Sequence, residues 1–191
     1  IFKIHARAKG VALEFAPGWP RIENANADLL IQGKELAVTA SSAKTAGVAL
    51  KNVRVLIPDI LSNDLMLSIR GEADSENALA LAYINSSPVR GYIDGFTDDI
   101  VARGNGKLNL KLDIPLSTSQ PVKVAGRYHF SDSEAEFGKI LPVARKVNGD
   151  LLFTESGVST QNIVGQILGG PARLMIESSE SGAMNIKLDG Q

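Results

Sequence analysis

Apolar and polar residues alternate along much of this chain. In Leu108-Asn109-Leu110-Lys111-Leu112-Asp113-Ile114, the residues Leu108, Leu110, Leu112 and Ile114 point one way, and Asn109, Lys111 and Asp113 the other. Pro115 closes this run, and Gly104-Asn105-Gly106 ahead of it reads as a turn. The same period of two appears in Leu65 to Arg70, Val53 to Ile57, Val122 to Phe130 and Met184 to Asp189, each bounded by Gly, Pro, Asn, Asp or Ser. Strands with one apolar and one polar face belong to antiparallel sheets with a solvated side. One stretch departs from this pattern. Glu76 to Ile84 is rich in Ala and Leu at helical spacing and predicts a helix, capped by Asp74 or Ser75 and ended by Ser86-Ser87-Pro88. Pro88 is placed to open a second short turn of helix toward Tyr92. The helical insert is expected at 75–93.

The chain also repeats itself. Glu14-Phe15 recurs 122 residues later as Glu136-Phe137, Pro20 as Pro142, and Asn26-Ala27-Asp28-Leu29-Leu30 as Asn148-Gly149-Asp150-Leu151-Leu152. Seven of the seventeen positions from 14 to 30 are identical in this register, where average usage gives about one. After a three-residue shortening, Val53-Arg54-Val55-Leu56-Ile57 falls on Ala172-Arg173-Leu174-Met175-Ile176, and Leu67 to Gly71 on Ile186 to Gly190.

These patterns predict a mainly β fold: an elongated, curved antiparallel sheet built from two tandem β-meander units with one short helical insert. The expected plan is a first β-unit at 1–71, the helical insert and its loop at 72–103, a linking strand at 104–120 and a second β-unit at 121–191. Together they would form one continuous domain, a fragment of a longer chain, since Ile1 reads as the start of an excised or processed piece. Periodicity alone leaves two arrangements open: one long sheet extended along the chain, or two units stacked face to face as a sandwich. A helix of about 11 residues is about 16 Å long, whereas about ten strands span roughly 45 Å. One helix therefore cannot shield the apolar face lined by Leu67, Ile69, Leu108, Leu110, Leu112, Ile114, Ile186 and Leu188. The remainder must meet another sheet, curl on itself, or meet something apolar that is not protein. The uncharged, Gly-rich stretch from Ser156 to Ala172 reads as a flexible strand or lip.

Composition narrows the chemistry. Lys and Arg number 20 against 21 Asp and Glu, for a net charge of −1, so the totals give no basis for a nucleic-acid partner. The chain has no cysteine, which removes disulfides and thiolate metal sites. No apolar run reaches the length a membrane-spanning helix needs. His5 and His129 occupy different places in the two units, His5 aligning with Arg127, and a strand histidine of this kind is an unpromising catalyst. No nucleophile-elbow, zinc-protease or phosphate-loop motif occurs. Asp94, Asp98 and Asp99 near Gly95 imitate a calcium loop without its distal Glu, and read better as a solvated turn. The repeated Asp28 and Asp150 follow Asn-Ala and Asn-Gly at the start of predicted strands, where bonding to nearby backbone explains both. Trp19, with Leu141 as its counterpart, reads as an apolar plug at the sheet's end. No enzyme, metal or cofactor is expected. A glycosidase in particular lacks a convincing carboxylate pair.

The stretch Leu67-Ser68-Ile69-Arg70-Gly71-Glu72-Ala73, the Ala/Leu helix, Asn85-Ser86-Ser87-Pro88-Val89, and the run from Gly104 to Leu116 resemble the central region of YhdP-type proteins of the AsmA-like superfamily. Val124-Ala125-Gly126-Arg127-Tyr128 and Asn148-Gly149-Asp150-Leu151 fit the same repeated β pattern. The resemblance implies the periplasmic portion of an inner-membrane-anchored bacterial protein. Its β-rich body would be a groove with an apolar floor that bridges the two membranes and carries phospholipid between them. The partners implied are phospholipid acyl chains on the eight apolar residues named above, and neighbouring β-units of the parent chain. Membrane contact would come through parts of the parent protein beyond this stretch. The family carries no catalytic residues onto this sequence. The rival expectation is a structural or interaction β-sandwich of an envelope protein.

Overall fold

The structure, a computed structural model, describes residues 2–93, 95–117, 120–138, 142–178 and 184–190. Its strands are β1 (Lys3–Leu13), β2 (Ile22–Gln32), β3 (Glu35–Thr45), β4 (Val48–Ile57), β5 (Met66–Glu76), β6 (Ile100–Pro115), β7 (Lys123–Phe137), β8 (Ala144–Thr154), β9 (Gly157–Ile167), β10 (Gly170–Ser178) and β11 (Met184–Gly190). Helices α1 (Asn77–Asn85) and α2 (Val89–Tyr92) lie between β5 and β6. All eleven strands form one open, curved sheet in chain order, each antiparallel to the next. The sandwich is thereby excluded. β6 pairs with β5 on one side and β7 on the other, so it joins the two meanders edge to edge where a sandwich would need them to part and stack. At about 4.8 Å between strands the ten steps make a sheet about 48 Å across.

Several local expectations are corrected. Gly104-Asn105-Gly106 is not a turn but lies within β6. Gly104 has φ +91°, and a Cβ there would meet the Ser133 backbone at 2.9 Å, so glycine is required for conformation and space alike. Asp74 and Ser75 do not cap α1. They remain in β5, where Lys51 pairs with Asp74 at 2.6 Å, and α1 starts after Glu76 with no side-chain cap. Pro88 does open α2. Of the two forms expected for Ser156 to Ala172, a strand or a lip, the structure shows the strand: the stretch holds β9 and the start of β10. Asp98 is held by two hydrogen bonds from Arg90, at 2.8 and 2.6 Å, while Asp94 lies outside the described residues.

What bends the sheet is a line of bulges. Residues with positive φ interrupt the strands at Gly10, Asn24, Asn52, Gly104, Asp132, Lys146 and Asn162, where the pairing registers also shift. An extra residue kinks a strand and increases its twist. The 122-residue repeat maps Gly10 onto Asp132 and Asn24 onto Lys146, so the bulges themselves are duplicated. The repeated asparagines clamp them. Asn26 accepts from the Gly10 N–H at 3.2 Å and donates to the Asn24 carbonyl at 3.5 Å. Asn148 accepts from the Asp132 N–H and donates to the Lys146 carbonyl, both at 2.9 Å.

The repeated aspartates do something other than expected. Both lie within strands, away from the turns, and each ties its strand to the one before. Asp28 receives Arg7 Nε at 2.9 Å and His5 Nε2 at 3.1 Å. Asp150 receives Arg127 at 2.7 Å and His129 Nδ1 at 2.9 Å. The repeat aligns His5 with Arg127 and Arg7 with His129, so the two cations have exchanged places around an unchanged carboxylate. Hydrogen bonds from Arg7 first, then His5, hold Asp28 below the usual carboxylate range, and Arg127, then His129, do the same for Asp150. A group held below its unfolded pKa contributes stability that is complete above the unfolded value and lost as pH falls through the folded one. The Asp150 side chain is 12% exposed against 48% for Asp28. Asp150→Ala is therefore expected to cost about 1–2 kcal/mol at neutral pH, and more than Asp28→Ala. Urea denaturation at neutral pH and at about pH 2.5 checks this, since below the usual carboxylate range the wild-type advantage should shrink. A loss that stays constant with pH would contradict the ion-pair account.

Candidate functional site

The register aligns apolar residues into rows that run across the strands. One row is Ala6, Leu29, Val38, Val55, Ile69, Leu112 and Val124, each directly opposite the next from β1 to β7. A second is Ala43, Leu50, Ala73, Leu108, Tyr128, Leu151 and Thr160, from β3 to β9. A third is Gly71, Leu110, Gly126, Phe153 and Val158. Residues directly opposite share a face. The expected set therefore comes together: Leu67 faces Ile114, Ile69 faces Leu112, and Leu108 and Leu110 occupy the adjoining rows. Leu188 joins the face through Leu174 and Ile163. Ile186 pairs with Ile176 in the backbone ladder, and its side chain lies outside the described residues. Lys111 and Asn109 are exposed on the opposite face. That face is mostly polar, with apolar residues interspersed, among them Leu30, Ala37, Leu56, Met66, Leu152 and Val164.

Among the described residues, no second layer covers these rows along most of their length. From Leu29 to Val124 the first row is half-buried throughout. The buried apolar residues among those described are Ala37, Ala40, Ala43, Val48, Ala73 and Ile163, mostly small side chains that the sheet and insert can cover unaided. Curvature supplies the remaining shelter. The result is a trough whose long axis runs across the strands, with a continuous apolar floor.

The trough has two unlike rims. At the insert rim β1, β3, β5, β7 and β9 end, and α1 packs there over the ends of β4, β5 and β6, with α2 against α1. Leu79 would lie 3.4 Å from a Cβ on Gly47, and Pro88 3.7 Å from one on Gly18. Trp19 stacks between Phe15 at 5.9 Å and Tyr83 at 6.5 Å, which makes it the plug expected at the sheet's end. Leu141 lies outside the described residues. A small polar knot fixes α1 to the floor. The Tyr128 hydroxyl donates to Asn77 Oδ1 at 2.7 Å, and Asn77 Nδ2 donates to Ser133 Oγ at 2.8 Å and the Arg103 carbonyl at 3.1 Å. Asn77 and Ser133 are each 2% exposed, so their pairing removes the cost of burying them.

Sequence reasoning did not select Leu29, Val38, Val55, Tyr128 or Phe153 for the floor. Leu29 and Val38 lie on strands where a bulge breaks the period of two, whereas Val55 lies in the alternating run Val53 to Ile57, whose period does not say which neighbour it faces. Tyr128 and Phe153 are there because of glycine: the Tyr128 ring occupies the space a Cβ on Gly106 would take, and the Phe153 ring that of Gly126. An aromatic ring laid over a strand glycine covers exposed backbone and keeps the floor flat. Gly126→Val should therefore lower stability by about 1–3 kcal/mol by evicting the ring. In a Phe153→Ala background the same change should be neutral or stabilising, because valine is the better strand former. Chemical denaturation of the four proteins in this cycle decides it, and equal costs in both backgrounds would refute the ring-on-glycine packing.

No group of three or more His, Asp or Glu among the described residues is arranged to hold a metal ion. No helix among them is long and apolar enough to cross a membrane. No curated protein and no solved structure matches the chain. A family model described as YhdP protein matches residues 1–191, the entire stretch that forms the trough and its insert, and the chain belongs to the YhdP family.

Proposed function

We propose that this chain is a non-enzymatic, lipid-conducting segment of the bacterial envelope, carrying phospholipid along the trough between the inner and outer membranes. The observation that carries the reading is the seven-strand apolar row from Ala6 to Val124, which runs lengthwise along the trough with no layer of the described residues opposite. Each CH₂ taken from water contributes about 0.8 kcal/mol, so an acyl chain is held there without a dedicated polar clamp. An unbroken row of similar side chains offers equivalent positions at every strand, which suits passage more than storage. Membership of the YhdP family supports the same reading. A periplasmic setting fits a segment in which no described helix is long and apolar enough to cross a membrane. Neighbouring β-units are the expected protein partners, since β1 and β11 are the outer strands of the sheet.

Two experiments test this. A photo-crosslinking residue at Leu110 or Leu112 of the intact protein in cells should capture phospholipid, and one at Lys111 on the opposite face should not. Absence of lipid at all three positions in folded protein would sink the proposal. Leu110→Asp or Leu112→Lys, which set an unpaired charge against hydrocarbon, should block passage while leaving the fold intact by circular dichroism. Lipid capture at wild-type levels elsewhere along the floor of such variants would show that the row is not the path.

A further inference from the structure

The internal repeat holds the same pair of strands in two settings, one with a further neighbour and one without. β1 and β2 correspond to β7 and β8, and the registers agree: Ala6↔Leu29 with Tyr128↔Leu151, Val11↔Ala25 with Ser133↔Val147, and Leu13↔Ile22 with Ala135↔Ala144. β7 has β6 on its other side, whereas β1 is an outer strand. The floor side chains register the difference. Phe2, Ile4, Val11 and Leu13 are between 41% and 66% exposed, while their counterparts Val124, Gly126, Ser133 and Ala135 are half-buried or buried. The far edge matches as well. Leu67 to Gly71 of β5 recur as Ile186 to Gly190 of β11, and β4–β5 shares its register with β10–β11, Val55↔Ile69 with Leu174↔Leu188. The two outer edges of the sheet are thus counterparts of the two edges that β6 fills.

Side-chain volume then says how a strand on β1 must differ from β6. In β7–β8 the opposed pair Gly126 and Phe153 joins a position without a side chain to the ring that covers it, and the counterparts in β1–β2 are Ile4 and Ile31, also directly opposed. The same floor space is filled either way, by one large residue or by two of middle size. Gly106 of β6 follows that rule with β7. It lies opposite Phe130, and the Tyr128 ring takes the place of its missing Cβ. The counterparts of Tyr128 and Phe130 on β1 are Ala6 and Ala8, which are too short to reach across. Charge on the other face of β1 is no bar to pairing, because His5 and Arg7 correspond to Arg127 and His129 of a strand paired on both sides.

We infer that the outer edge of β1 is a docking edge for an antiparallel strand of β6 type from a neighbouring β-unit, one with a large apolar residue where β6 has Gly106. The main chain of that strand continues the ladder. Its equivalents of Leu112, Leu110 and Leu108 stand opposite Phe2, Ile4 and Ala6, and its large side chain covers Ala6 and Ala8. A slip of one residue would carry all of these to the polar face. The inference rests on the reading of neighbouring β-units as partners, and makes that reading specific in register and in one side chain.

The chain has no cysteine, so an introduced pair reports register without background. Synthetic β6 peptides spanning 99–117 and carrying Leu110→Cys, with or without Gly106→Leu, are offered to the Ile4→Cys chain in a glutathione redox buffer. The Lys3→Cys chain, one residue out of register and on the other face, is the control. Directly opposed residues lie within disulfide reach. The Ile4→Cys chain should be captured and the Lys3→Cys chain should not. The Gly106→Leu peptide should reach half-capture at about a tenfold lower concentration than its parent, the ratio that roughly 1.4 kcal/mol sets. Equal capture by the two peptides would overturn the large-residue complement alone. No capture by either, or capture at Lys3→Cys as strong as at Ile4→Cys, would overturn the docking edge and the β-unit partner with it. No lipid takes part, so these outcomes are separate from those that test lipid passage.

Discussion

Backbone hydrogen bonds between neighbouring strands hold this sheet where a second layer holds most others. Each strand is antiparallel to the next from β1 to β11, and the apolar rows exist only because every pairing keeps phase with the last. A slip of one residue at any hairpin would turn a strand's apolar side chains to the polar face. The bulges threaten that phase and also preserve it. In the β1–β2 pair the register sum of partners is disturbed at Val11↔Ala25 and restored by Leu13↔Ile22, because both strands carry an extra residue. The β7–β8 pair does the same at Ser133↔Val147 and Ala135↔Ala144. Asn26 and Asn148 each bond to both bulges of their pair, so one side chain keeps two irregularities in step.

What the repeat retains is accordingly geometry. Among the positions that recur at 122 residues are bulges, their clamping asparagines, the cross-strand aspartates and the tight turns, beside the floor leucines Leu29 and Leu151. The exchange of His and Arg around Asp28 and Asp150 shows which property matters there: the carboxylate needs two donors from the preceding strand, and their order is free. A catalytic constellation would not tolerate such an exchange, because imidazole and guanidinium differ in reach and in proton affinity.

Much of this architecture was legible in the sequence. The alternation in β6 placed Leu108, Leu110, Leu112 and Ile114 on one face correctly, since that part of the strand is free of bulges, and the Ala/Leu run gave α1 to within a residue or so. Legibility ended where a residue served two roles. Glycine in Gly104-Asn105-Gly106 signals a turn by composition, yet here one glycine admits the Ser133 backbone and another the Tyr128 ring. Asp28 and Asp150 looked like turn residues because Asn precedes each at close range, and that Asn turned out to serve a bulge. Periodicity reports that one face is apolar, but not what covers it, which is why the sandwich and the single sheet could be separated only by the pairing of β6 with both neighbours.

The absence of a second layer bears on how far such a protein can reach. A domain held by a core grows in diameter only as roughly the cube root of its length, since new residues must fill volume. In a single layer each added hairpin lengthens the trough by roughly 10 Å, whatever the length already built, and needs only the edge of the strand before it. Span is then proportional to chain length, and every increment is held by the same local ladder. Distance becomes a matter of counting hairpins.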